Sequence, residues 1–120
     1  MSQQNVFGKI SLKAGEDLSN KIYHLVKLDA NGNAVLSGVG ERAIGVLDTK
    51  GKQGEVVAVN ILGTSKVVAG GPINIGSYVT SNANGQAVER TSEVNVIGIA
   101  LESASNAGEI IEILLMPLSL

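Results

Sequence analysis

Asp29-Ala30-Asn31-Gly32-Asn33-Ala34-Val35 returns 53 residues later as Asn82-Ala83-Asn84-Gly85-Gln86-Ala87-Val88. The same offset carries Ala43-Ile44-Gly45-Val46-Leu47 onto Val96-Ile97-Gly98-Ile99-Ala100. One residue further out, Gly54-Glu55-Val56-Val57-Ala58-Val59 matches Gly108-Glu109-Ile110-Ile111-Glu112-Ile113. Upstream, Ala14-Gly15 and Tyr23 match Ala69-Gly70 and Tyr78 at an offset of 55. Ordered matches at nearly constant spacing mark a duplication. The two units run over about residues 12–62 and 67–115. Two units are too few for a solenoid. The expectation is an all-β, compact barrel-like or β-tulip-like domain over residues 12–120, built from two pseudo-repeated β half-units.

Each unit reads as strands and turns. Asn31-Gly32 and Asn84-Gly85 are hairpin signals, because a two-residue type I′ turn needs positive φ at both central positions. Residues 23–28 are expected to pair with 34–36, and 78–81 with 86–90. Residues 55–62 alternate Val57, Val59 and Ile61 on one face with Val56, Ala58 and Leu62 on the other, which predicts a central strand buried on both sides. Its counterpart is 110–116, and Gly63-Thr64-Ser65 reads as a turn between strands. Ile97, Ala100, Leu101 and Ala104 have helical spacing, but the equivalent stretch 44–51 has no such stripe, so both are assigned to strands.

Residues 1–11 lie outside both units and read as an extended N-terminal arm. They are polar at first and turn apolar at Val6, Phe7 and Ile10. The plain reading is a frayed end leading into an edge strand. The sharper one is a segment that docks on a neighbouring subunit or partner, with Val6, Phe7 and Ile10 as the binding residues.

Composition narrows the function. Hydrophobic residues make up 44% of 120, but the only aromatics are Phe7, Tyr23 and Tyr78, so the core is aliphatic. Fifteen glycines punctuate the short apolar runs. A small aliphatic core without disulfides favours oligomerisation. Net charge is −2 with signs interspersed, which argues against nucleic acid as a partner. No signal-peptide pattern opens the chain, and the apolar run 113–116 is too short to span a membrane. Synthesis in a cytoplasm and a soluble product without a membrane partner are expected.

No chemistry stands out, and neither a cofactor nor an enzymatic activity is expected. There is one histidine, His24, and no cysteine, so a zinc site lacks ligands. Asp29-x-Asn31-x-Asn33 imitates a calcium loop but has Ala34 at the sixth position and Gly40 at the twelfth. Gly38-x-Gly40-x-x-Ala43 has the form of a dinucleotide fingerprint, but that fingerprint needs a helix after it and a parallel sheet, and here an apparent strand follows, so it reads as a flexible connector. Glu55 and Glu109 recur at one repeat position, which suits a structural task such as satisfying turn amides.

The order Tyr23-His24-x-Val26-Lys27-Leu28, Asn31-Gly32 and Ala43-Ile44-Gly45-Val46-Leu47 resembles the tailed-bacteriophage capsid cement, or head decoration, proteins. Gly63-x-Ser65-Lys66-Val67, Ala69-Gly70-Gly71-Pro72-Ile73, Gly76-x-Tyr78-Val79-Thr80 and Ile97-Gly98-x-Ala100-Leu101-Glu102 continue the likeness over about residues 14–115. The resemblance implies a virion protein that binds the outside of the expanded head across major capsid protein subunits, often as a trimer. It offers no catalytic, cofactor or metal residues. Another virion β-module, such as a head-fibre base or tail component, or a small ligand-binding barrel, stays open as an alternative.

Overall fold

The computed structural model describes residues 3–120, so Met1 and Ser2 of the expected arm lie outside the described residues. The described chain is all β. Nine strands form: β1 (Val6–Lys13), β2 (Leu25–Leu28), β3 (Ala34–Leu36), β4 (Gly45–Leu47), β5 (Val56–Val68), β6 (Tyr78–Ser81), β7 (Ala87–Glu89), β8 (Asn95–Ala100) and β9 (Ile110–Ser119). Eight of them follow the order β3-β2-β4-β5-β9-β8-β6-β7 in a curled, half-barrel sheet, and β1 pairs with β5 beside that path. All pairings between strands are antiparallel. The terminal strands β3 and β7 have three residues each, which leaves little open edge for unwanted pairing.

The duplication is visible in the pairing. Val26 opposes Leu36 and Leu28 opposes Ala34, while Val79 opposes Glu89 and Ser81 opposes Ala87, each pair 53 residues on. Leu25 faces Val46 as Tyr78 faces Ile99. Leu12 opposite Val57 has its counterpart in Val67 opposite Ile111. The second half of β5 therefore does for the second unit what β1 does for the first, and β5 is the strand that both units share.

Each half has its own core of the same plan. Ala14, Leu18, Val26, Ala34, Leu47, Val57 and Val59 cluster in the first. Their equivalents Ala69, Ile73, Val79, Ala87, Ala100, Ile111 and Ile113 cluster in the second. Each fully buried Val, Leu or Ile contributes about 1.5–3 kcal/mol. In both halves a glycine lets one strand cross its neighbour closely. A Cβ on Gly45 would lie 2.2 Å from the Asn60 carbonyl oxygen, and one on Gly98 would lie 1.9 Å from that of Leu114.

The halves meet through unlike surfaces. Leu25, Ala43 and Val46 of the first half join the second core, with the Tyr23 ring against it. The Leu25 N–H donates to the Gly85 carbonyl (2.7 Å), Gly40 N–H to that of Ser81 (3.1 Å), and Val68 N–H to that of Tyr23 (2.9 Å). Ser81 Oγ donates to the Ser37 carbonyl. The β6–β7 hairpin of the second half thus sits on the β2–β4 face of the first.

Four expectations need correction. The strand expected over 55–62 to be buried on both sides is buried on the Val57 and Val59 face, while Val56 and Leu62 on the other are exposed, because no second layer covers that face. The hairpins do not use two-residue type I′ turns. Gly32 N–H donates to the Asp29 carbonyl (3.1 Å), and of the central residues only Gly32 has positive φ (79°). This is a three-residue loop closed by a left-handed glycine. Asp29 Oδ1 favours it by accepting the Asn31 and Asn33 amides, and Asn82 Oδ1 does the same for Asn84 and Gln86. Gly63-Thr64-Ser65 is not a turn but lies inside β5, where Gly63 (φ 96°) lets the Asn5 carbonyl approach. Tyr23 is not the counterpart of Tyr78. Tyr23 N–H donates to the Leu47 carbonyl as Gly76 N–H does to that of Ala100. Tyr23 (φ 64°) therefore takes the left-handed conformation of Gly76 (φ 87°), a cost met by packing its ring at the joint between halves, under Lys66 Nζ 5.7 Å away.

Candidate interaction surface

The arm residues lie on a strand. β1 runs along β5 from Val6 opposite Gly63 to Lys13 opposite Val56. The register slips twice: Phe7 has no residue opposite it on β5, and Ile61 has none on β1. Such bulges re-aim side chains. Phe7, the one phenylalanine, projects from the first bulge and is 79% exposed. Val6 beside it is half-buried, and Ile10 stands opposite Val59 and is exposed. The structure thus brings Val6 and Phe7 together at the Gly63 bulge, with exposed Leu62 alongside, and leaves Ile10 a few residues away.

A polar network fastens this end of β1. Gln4 Oε1 accepts the Lys66 amide (3.0 Å), and Gln4 Nε2 donates to Asp48 Oδ1 (3.2 Å). Lys9 Nζ pairs with Asp48 Oδ2 at 2.7 Å, and buried Asn60 donates to Asp48 Oδ1 (3.1 Å). Partial burial pushes the Asp48 carboxyl up. The hydrogen bonds from Lys9, Gln4 and Asn60 and the Lys9 charge outweigh that and hold it below its ordinary value. Phe7 is therefore displayed from an anchored strand.

The residues screened for chemistry have structural partners. Asp29 spends its carboxylate on turn amides. Glu55 accepts the Lys52 amide, and Glu109 those of Ser105 and Asn106, so the repeated glutamates satisfy turn donors as expected. His24 Nδ1 lies 3.1 Å from the Ile22 carbonyl. The Gly38–Gly40 connector is pinned: Gly38 N–H donates to Glu41, and the Gly40 carbonyl accepts from Asn95. Among the described residues no three His, Cys, Asp or Glu side chains gather as metal ligands, and no pocket opens. What the surface offers is apolar side chains on strands and loops: Phe7, Val56, Leu62, Leu28 and Tyr78 among them.

A surface of this kind suits contact with proteins, and comparison with known proteins gives the context. The sequence pattern of the phage cement proteins matches residues 20–115, four-fifths of the chain. The chain belongs to the phage cement protein family. It is thus a structural protein of the phage virion. No curated protein matches it. Among solved structures it is similar to the N-terminal base of the head fibre of bacteriophage phi29, at 20% identity and a TM-score of 0.74, over 94% of this chain and 97% of that one. At that identity the likeness concerns the fold. The cement-protein match begins at residue 20, so β1 and its exposed Phe7 lie outside it.

Proposed function

We propose that this protein decorates the outer surface of the expanded phage head, binding across major capsid protein subunits as a homo-oligomer, with three copies expected from the family resemblance. The observation that supports it most is the match to the cement proteins over residues 20–115. The geometry suits the task. The long shared strand β5 and its paired neighbours make a stiff module, so little ordering is lost on binding. A ligand that binds only the expanded shell stabilises it by mass action, and many copies acting together multiply the effect. No step in this work is chemical.

Val6, Phe7 and Ile10 are proposed contacts. Removing the first ten residues would not isolate their role, because it strips more than half of β1 from β5. Phe7→Ser is the cleaner probe, since Phe7 is exposed at a bulge. The test is co-sedimentation of the protein with expanded and unexpanded heads. Saturable binding to expanded heads only, weakened by Phe7→Ser at unchanged melting temperature, is the expected result. Equal binding to both, or to neither, contradicts the reading. The fold likeness to a head-fibre base favours a second reading, in which the module seats a projecting fibre. Density rising outward from the module on the virion would distinguish it.

A further inference from the structure

We infer that copies of this chain join head to tail by repeating, between molecules, the joint that already holds the two halves together. The inference sharpens the self-association in the proposed function by naming its surfaces. The internal joint is heterologous: the hairpin of the second half meets the β2–β4 face of the first. A duplicated chain with such a joint must leave one hairpin and one face unused. The unused face is β6–β8 with the adjoining part of β9, and the unused hairpin is β2–β3.

Burial at equivalent positions shows this. On the face, Leu25 is fully buried in the joint, while its equivalent Tyr78 is 39% exposed and Leu114, in the same row as Tyr78, is 37% exposed. Val46 is buried at the joint, and Ile99, its equivalent, is only half-buried. On the hairpin, Ser81 is 2% exposed, while its equivalent Leu28 is 47% exposed. Gly85 packs so tightly on Leu36 that a Cβ would lie 2.5 Å from its Cδ1, whereas a Cβ on Gly32 would meet nothing within 4 Å.

Tyr78, Ile99 and Leu114 are opposed across β6, β8 and β9 and form one apolar row. An incoming Leu28 side chain supplies the apolar contact that the small Ser81 does not need inside the chain. Heterologous contacts close into rings or run on as filaments. The occupant is therefore a second copy of this chain, entering hairpin first.

Sedimentation velocity of the full chain and two single variants tests this. Wild type should sediment as an oligomer, and Leu28→Asp and Tyr78→Asp should each be monomeric, with self-association weakened roughly thirtyfold or more. Both positions are exposed, so the circular-dichroism melting curves should match wild type. The decisive step is mixing. Leu28→Asp keeps a sound face and Tyr78→Asp a sound hairpin, so an equimolar mixture should give a dimer and nothing larger. In a second arm, Leu28→Cys and Arg90→Cys, the equivalents of Ser81 and Ser37 that touch across the internal joint, placed together in this cysteine-free chain, should cross-link copies under oxidation. A wild type that stays monomeric, variants that keep wild-type mass, or a mixture that stays monomeric would overturn the joint. Occupancy of expanded heads is scored separately. Full occupancy by a monomeric variant would leave capsid binding standing, and loss of occupancy by wild type would sink the functional reading alone.

Discussion

The two halves share one pairing scheme and live in different surroundings. The seven core positions of the first half recur as seven in the second, and both strand crossings use glycine at the same place. Outside the cores the halves diverge. The first half covers its outer face with the second half and ties the end of β1 through Gln4, Lys9 and Asp48. The second half leaves its outer face open, and the position equivalent to Asp48 is Leu101, which is exposed. Duplication thus preserves what folding needs in each unit, and the departures mark where a unit meets something else.

The comparison can be broken most sharply at the crossings. Gly98→Val and Gly45→Val each force a side chain into a backbone carbonyl, and each should cost about 4 kcal/mol or more, seen as failure to fold or as collapse of the denaturant midpoint. A mild effect at one site only would show that the crossings are not equivalent. Next come the cores. Leu18→Ala and Ile73→Ala remove equivalent buried side chains and should each cost about 2–5 kcal/mol in denaturant titrations. Similar losses support two matched cores, and a large disparity would make one half the dominant folding unit.

The joint gives a smaller and lopsided pair. Leu25→Ala should destabilise the monomer by about 2–4 kcal/mol, whereas Tyr78→Ala, at the same repeat position, should cost the monomer only about 0.5 kcal/mol. A further modest effect is electrostatic. The folded-state pKa of Asp48 lies below its unfolded value, so its contribution is present above the unfolded value, near 4, and is lost as pH falls through the folded one. Asp48→Asn should lower stability by about 1 kcal/mol at neutral pH and flatten the acid limb of the pH–stability curve. A curve unchanged by this substitution would remove the network from the account.

Most of the architecture was legible in the sequence because duplication wrote it twice. The hairpins, the central strand and the choice of strand over helix at 44–51 and 97–104 follow from matching one unit against the other, although the strands stop at Leu47 and Ala100. The failures have physical causes. Asn-Gly suggested a two-residue turn, but the carboxylate of Asp29 and the amide of Asn82 draw in two amides each and favour a three-residue loop. Gly63 looked like a turn glycine, yet it serves a bulge within β5 where Asn5 crosses. The match of Tyr23 to Tyr78 compared side chains. The backbone pairs Tyr23 with Gly76, and a left-handed tyrosine cannot be seen in composition.

The interaction surface was less legible. Phe7 could be singled out as the lone phenylalanine, but that it stands on a bulge depends on the register between β1 and β5. The apolar row of Tyr78, Ile99 and Leu114 could have been flagged from the repeat alone, by asking which half has to cover the other. Strand order was needed to answer.

A reconstruction of the intact virion tests the central claim most directly. The account predicts copies of this two-lobed β module on the outside of the expanded head, each touching more than one major capsid protein subunit. Finding the chain only in the tail or inside the head, or finding the shell bare, would contradict it.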